Sequence, residues 1–202
     1  MNILFIGDIV GKPGRRLVTE LLPKLRKELN LDVVIANVEN LAHGKGLNES
    51  SVQEMIEAGV DIATGGDHIF DKPAAEELFT VEPNILVRPL NFPDTKVGQG
   101  SKTFHLGQKT VTMVNLLGQF GMANPPTESP FEAMQRWMKK APTSDITLVD
   151  LHAEATSEKV NMGWWLDGKV TAVLGTHTHV RTADERVLRN GTGYISDVGM
   201  TG

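Results

Sequence analysis

His177 and His179 stand one residue apart in the segment Gly175-Thr176-His177-Thr178-His179, directly after the apolar run Thr171–Leu174. Imidazole nitrogens at that spacing suit Zn, Fe, Mn or Ni. If strand geometry ran on through the pair, residues i and i+2 would share a side and both rings would reach one point. The competing reading is a pair of polar loop residues, and a single metal would need further ligands from elsewhere. The chain has no cysteine. Disulfides, thiolate sites and cysteine nucleophiles are therefore excluded, and any metal is held by nitrogen and oxygen.

Those donors recur at the ends of other apolar runs. Asp8 follows Asn2–Gly7, and Glu39-Asn40 follow Asp32–Ala36. Asp67-His68 follow Val60–Ala63, and His152 follows Ile146–Leu151. A single polar residue at such a place is ordinarily a helix cap or a turn. The repetition points to one shared site with more ligands than one metal needs. Two divalent metals, bridged by a carboxylate and a solvent molecule, would use them all. Such a pair clamps the attacking and leaving oxygens of a phosphoryl transfer and provides hydroxide near neutral pH. The chemistry also asks for an acid beside the leaving group.

The elements between these positions have to bring them together. Leu17, Leu21, Leu22, Leu25 and Leu29 recur at helical spacing, which predicts a helix over Arg15–Leu29 after a loop containing Gly11, Pro13 and Gly14. Further helices are expected over Ser50–Ala58, capped by Asn48 or Ser50 and stopped by Gly59, and over Lys72–Phe79. The first half thus alternates strand, loop and helix, the pattern of an α/β fold with a largely parallel sheet. Ligands of such sheets bind beyond the carboxyl ends of the strands. In the second half, 87–100 and 118–129 read as loops, and Thr103–Leu106 with Thr110–Leu116 as a hairpin. Helices are expected over Pro130–Lys140 and Glu154–Trp165, and short strands over Val170–Leu174, Arg186–Leu188 and Gly193–Ser196. Phe131, Met134, Trp137 and Met138 face the core in this reading.

At 202 residues the chain suffices for one domain with a substantial core. The N-terminus lacks the pattern of a signal peptide, and no apolar run approaches the ~20 residues of a membrane span. A soluble, cytoplasmic protein is expected. The net charge of −5 gives no general attraction to nucleic acid or anionic membrane.

Gly7-Asp8, Gly66-Asp67-His68, His152 and Gly175-Thr176-His177-Thr178-His179 resemble the motifs of the calcineurin-like binuclear metallophosphoesterases. Longer segments are similar to the bacterial YmdB-type phosphodiesterases: Phe5-Ile6-Gly7-Asp8, the 39–46 segment Glu39-Asn40 to Gly46, Arg88-Pro89 to Pro93, His152–Lys159 and Asp197–Gly202. The resemblance covers essentially the whole chain. It implies a single domain, 1–202, with two β-sheets flanked by helices, and hydrolysis of phosphodiesters including 2′,3′-cyclic nucleotides. It also implies two divalent metals, iron or manganese, with a bridging hydroxide as nucleophile. Carried over by position, Asp8, Glu39, Asn40 and His179 would hold one metal, with Glu39 bridging. Asp67, His152 and His177 would hold the other, and His68 would be the proton donor. The two histidines of the opening segment would then serve different metals.

Two departures stand out. The family pattern has Asn where this chain has Asp67, which adds a formal negative charge and is expected to tighten metal binding and weaken Lewis acidity. Family members also continue beyond the Asp197–Gly202 segment, so the chain reads as lacking a C-terminal part. His43 and Lys45, in a glycine-bearing loop, are weaker candidates for touching phosphate. Glu154, Ser157 and Glu158 read as helix-start caps or partners of His152, and Arg88 and Asn91 as residues that fix the long loop. Three alternatives remain: a broader phosphodiesterase or phosphomonoesterase, or a metal-containing nucleotide sensor with little catalysis. A homo-oligomer is compatible with any of them.

Overall fold

The computed structural model describes residues 1–82, 84–126 and 128–202. The first half alternates as expected: β1 (Ile3–Ile6), β2 (Asp8–Ile9), α1 (Gly11–Glu28), β3 (Val33–Asn37), α2 (Glu49–Ala58), β4 (Ile62–Thr64), α3 (Ala75–Val81) and β5 (Leu86–Val87). The second half contains β6 (Ser101–Leu106), β7 (Lys109–Leu117), α4 (Pro130–Met138), β8 (Ile146–His152), α5 (Thr156–Leu166), β9 (Ala172–Thr176), β10 (Arg186–Val187), β11 (Gly193–Ile195) and β12 (Met200–Thr201). Thr127, within the segment read as a loop, lies outside the described residues.

Two sheets form the frame. One is parallel throughout, in the order β1-β3-β4-β5. The other runs β10-β11-β9-β8-β7-β6, parallel in its middle and antiparallel at both edges, where β6–β7 is the expected hairpin. Successive side chains of a strand point to opposite faces. Val33 and Ile35 therefore join Met113 and Leu148 in the core between the sheets. Their neighbours Val34 and Ala36 pack with Val18, Leu22, Val52 and Met55 of α1 and α2. On the far side, Val114, Val149 and Val173 pack with Met134 of α4 and Met162 of α5. Strands buried on both faces are apolar without alternation, which is why these runs are legible in the sequence. The result is the α/β/β/α sandwich that the resemblance implied.

Three local differences bear on the site. The segment 11–14 is helical, not a loop: Pro13 lies in the first turn of α1, where a missing N–H goes unmissed. Asp8 belongs to the short strand β2, which pairs in parallel with β12, so residues far apart in the chain pin it. A Cβ on Gly7 would lie 1.9 Å from the Gly199 carbonyl oxygen, so only glycine admits this approach. Lastly, α5 starts at Thr156, leaving Glu154 in the loop before it. Asn48 is the cap of α2, its side chain accepting from Ser51 N–H at 2.9 Å. No helix among the described residues is long and apolar enough to cross a membrane.

Candidate metal centre

β2 carries Asp8, and the parallel strands β3, β4, β8 and β9 release the other donors at or just beyond their carboxyl ends. Glu39, Asp67, His152 and His177 each direct one ligand atom into a region where all four lie within 4.8 Å of one another, and this group can hold a metal ion. His152 Nε2 lies 3.0 Å from Glu39 Oε1 and 3.5 Å from Asp67 Oδ1. His177 Nδ1 lies 3.0 Å from the same His152 nitrogen. Asp67 Oδ1 is buried with no hydrogen-bond partner among the described residues.

A second group adjoins it. Asn40 Nδ2 lies 3.3 Å from Asp8 Oδ1, 3.2 Å from Glu39 Oε1 and 3.4 Å from His179 Nε2. His179 Nε2 is 3.6 Å from Asp8 Oδ1. Turning over the Asn40 carboxamide puts its oxygen where the nitrogen now stands, so this residue can offer an oxygen ligand there. Glu39 belongs to both groups.

The electrostatics call for positive charge. Asp8, Glu39 and Asp67 are all buried. Among the described residues their ion-pair partners are histidines, with no Lys or Arg in reach. Burial opposes the protonated form of His152, but the surrounding carboxylates of Glu39, Asp67 and Asp8 carry its pKa well above the ordinary value. Burial likewise works to raise the Asp67 carboxyl, yet His152 outweighs it and brings Asp67 down to about 2. Burial and the charge of His152 lower the pKa of His177. A divalent cation would balance these carboxylates and accept the neutral imidazoles, so the donor set fits a metal centre with nitrogen and oxygen ligands.

The two histidines of the Gly175–His179 segment do not share a strand face. β9 stops at Thr176, and His177 (φ 102°) and His179 (φ 63°) both adopt left-handed backbone. The turn sends His177 to His152 and Glu39, and His179 to Asp8 and Asn40. This corrects the premise of a continuing strand. Gly66 makes room for the convergence: a Cβ there would lie 2.3 Å from Glu39 Oε2 and 2.5 Å from His152 Nε2.

His68 sits at the rim of the first group. Its N–H donates to Glu39 Oε2 at 3.0 Å. Nδ1 lies 2.8 Å from Asp71 Oδ2, and Nε2 is 3.9 Å from Asp67 Oδ2. His43 and Lys45 are exposed in the loop after Asn40, and no hydrogen bond ties either side chain to the ligand group. Glu154 does not cap α5; its Oε2 lies 3.2 Å from His177 Nε2. Glu158 accepts from Gln119 N–H and Phe120 N–H and holds that loop. Arg88 donates to the Val97 and Pro89 carbonyls and Asn91 to those of Leu117 and Glu128, contacts that fix the long loop as expected.

A buried layer that the sequence did not single out orients the ligands. The Thr176 hydroxyl donates to Asp150 Oδ1 at 2.7 Å and faces His152 Nδ1 at 2.9 Å. Its one proton is spent on Asp150, so His152 Nδ1–H donates and Nε2 is aimed at the ligand group. Burial pushes the Asp150 carboxyl up to about 6, against the pull of His152 and of its threonine donors. Strand alternation places Asp150 on the side of His152, and that was the available signal. Asp197, visible in the sequence only as part of a terminal motif, accepts from Thr178 N–H at 3.0 Å and from its hydroxyl at 2.8 Å.

The chain matches the family model of YmdB-like proteins over residues 4–202. It is 46% identical over 203 residues to the Bacillus subtilis (strain 168) protein named 2′,3′-cyclic-nucleotide 2′-phosphodiesterase, covering 100% of this chain and 76% of that protein. A crystal structure of a hypothetical protein from Thermus thermophilus superposes with a TM-score of 0.93 at 44% identity, covering 100% of this chain and 77% of that one. A second, described as a novel phosphatase from Mycoplasma pneumoniae, gives 0.91 at 38% identity, covering 98% and 71%. With a match running almost from end to end and a metal-binding geometry at the strand ends, the chain belongs to the YmdB-like family.

Proposed function

We propose that this chain is a metal-dependent phosphodiesterase that hydrolyses phosphodiesters such as 2′,3′-cyclic nucleotides. In this reading Asp8, Glu39, Asn40 and His179 hold one divalent cation. Asp67, His152 and His177 would hold a second, and Glu39 would contribute to both. Iron or manganese suits the mixed imidazole and carboxylate set. The observation that carries the reading is the position of Glu39: its Oε1 lies 3.0 Å from His152 Nε2 in one group and 3.2 Å from Asn40 Nδ2 in the other. The name of the Bacillus subtilis relative supports the substrate class.

Divalent cations held there supply charge neutralisation for phosphate oxygens and a water of lowered pKa. Water adds to phosphorus, one P–O ester bond breaks, and a cyclic nucleotide opens to a monophosphate. His68 is the proton donor to the departing oxygen. Asp71 accepts from Nδ1–H and so leaves Nε2 as the end that delivers the proton. The left-handed turn at His177 and His179 keeps the two imidazoles apart.

The test is metal content per chain and turnover of 2′,3′-cyclic AMP on one Mn²⁺-loaded sample. About two metals per chain are expected, with turnover reduced by roughly 10²–10⁴ in His68→Ala. Metal without turnover points instead to a nucleotide-binding module, and failure to bind metal under any loading condition removes the reading.

A further inference from the structure

Beside the metal-ligand group lies a cleft of about 470 Å³ that the proposed chemistry has not used. Asp67 and Asp71 are among its lining residues. Its walls include the rings of Phe70 and Phe92 together with Pro93, Pro125 and Pro126. The two phenylalanines are 5.8 Å apart, centroid to centroid, tilted by 53°, and each is only partly buried. Lys96 Nζ stands 5.0 Å above the Phe70 ring and 2.8 Å from Glu76 Oε1. The Asn124 amide donates to the Asp67 carbonyl at 3.1 Å and lies 3.3 Å from Asp71 Oδ1, tying the outer wall to the metal group.

We infer that this cleft is a nucleobase subsite, and that Phe92 is its stacking platform. The inference rests on the phosphodiesterase reading, and geometry connects the two. His68 Nε2, the end that delivers the proton, lies 3.9 Å from Asp67 Oδ2, and Asp67 lines the cleft. The substrate fragment carrying the departing oxygen thus lies on the cleft side of the metals. In a 2′,3′-cyclic nucleotide both ester oxygens belong to one ribose, so the base goes to that side whichever bond breaks. A base is flat and aromatic with polar edges. An aromatic and proline-lined cleft accepts its faces, and the Lys96 ammonium offers a donor to a ring nitrogen or carbonyl. Stacking tolerates every base because each has a π-face, so the subsite selects nucleosides over simple alkyl phosphates without strong preference among bases.

The experiment compares 2′,3′-cyclic AMP with the 2,3-cyclic phosphate of 1-O-methylribose, which lacks the base, in the Mn²⁺-loaded parent and in Phe92→Leu. Leucine keeps an apolar side chain where Phe92 packs on the core, and thermal unfolding of both proteins checks the fold. The parent is expected to favour the nucleotide. Phe92→Leu is expected to lose roughly tenfold in kcat/KM on the nucleotide, mostly in KM, with the abasic substrate unchanged. Equal turnover of both substrates by the parent, or an equal loss on both in the variant, overturns the subsite while leaving the phosphodiesterase reading intact. If the parent hydrolyses neither, the phosphodiesterase reading fails, and calorimetry with 2′-AMP and inorganic phosphate decides the subsite. Tighter binding of 2′-AMP that Phe92→Leu abolishes supports it, and equal affinities overturn it.

Discussion

The Lys159 ammonium lies 2.7 Å from Asp197 Oδ2, and both side chains are buried. The same carboxylate oxygen holds Thr178 by its backbone N–H and its hydroxyl. Thr178 stands between His177 and His179, so this ion pair anchors the turn that sends the two imidazoles apart. Removing one partner of a buried pair strands the other, which typically costs about 3–5 kcal/mol. Lys159→Met is expected to destabilise the protein by that order in urea unfolding and to lower retained metal. The double variant Lys159→Met/Asp197→Asn should lose less than the sum of the two single variants, because they share one interaction.

Asp67 places a carboxylate in the ligand group, with its buried Oδ1 making no hydrogen bond among the described residues. Asp67→Asn exchanges that charge for a neutral carbonyl oxygen. Metal titration is expected to show Mn²⁺ binding weakened about tenfold or more, the lower end of what disturbing a ligand set costs. Turnover per bound metal is expected to rise, because the less neutralised cation is the stronger Lewis acid. Unchanged affinity together with unchanged kinetics would sink the argument.

Asp71 orients His68 through the 2.8 Å bond to Nδ1. Asp71→Asn keeps the size but loses the acceptor charge. The variant is expected to lose about tenfold in kcat on 2′,3′-cyclic AMP, at the lower end of the effect of losing a general acid. On a nitrophenyl diester, whose leaving group needs little protonation, the loss should be small. Comparable losses on both substrates would show that Asp71 acts on the fold or the metals instead.

Gly66 is the space through which Glu39 and His152 meet. An alanine Cβ would stand 2.3 Å from both Glu39 Oε2 and His152 Cδ2. Gly66→Ala is expected to unfold cooperatively like the parent while binding less metal, measured on purified protein by elemental analysis.

Asp184 accepts from Ser196 N–H at 3.1 Å, Ser196 Oγ at 2.5 Å and Thr182 Oγ1 at 2.6 Å. Burial works to raise its carboxyl, but these donors prevail and lower it. A folded pKa below the unfolded value, about 3.9, gives stability that is present above that value and lost as pH falls through the folded one. The parent is therefore expected to exceed Asp184→Asn in unfolding free energy at pH 7, by about 1–2 kcal/mol for the hydrogen bonds disturbed. The gap should close as pH falls below about 4.

The helices and strands were legible where their burial imposes a repeating pattern. The leucine spacing from Leu17 to Leu25 marked α1 but not its buried face, since Leu17, Leu21 and Leu29 are exposed and Val18 and Leu22 face the core; the unbroken apolar runs of β3 and β8 mark strands covered on both sides. The boundary at Gly11 was missed because glycine and proline are read as loop formers, although a first helical turn tolerates both. Strand-end position pointed to Glu39, Asp67 and His152, which the structure brings together with His177, since a parallel sheet offers its carboxyl edge to ligands.

The sequence by itself determined the donor types, their placement at strand ends, the exclusion of sulfur and the family resemblance, because each is a matter of residue identity and short-range order. Only the tertiary structure decided which donors meet. Strand order sets β8 beside β9, so His152 and His177 come within 3.0 Å although they lie 25 residues apart. The left-handed turn at 177–179 divides a pair that local geometry would have aimed together. Lys159 with Asp197, and Asp71 with His68, owe their roles to contacts made in space, and neither residue type carries a mark of such a role in the chain. The cleft beside Phe92 is likewise a product of packing: segments 67–71, 92–96 and 123–126 wall it, and their side chains become one surface only when the loops close over the sheet.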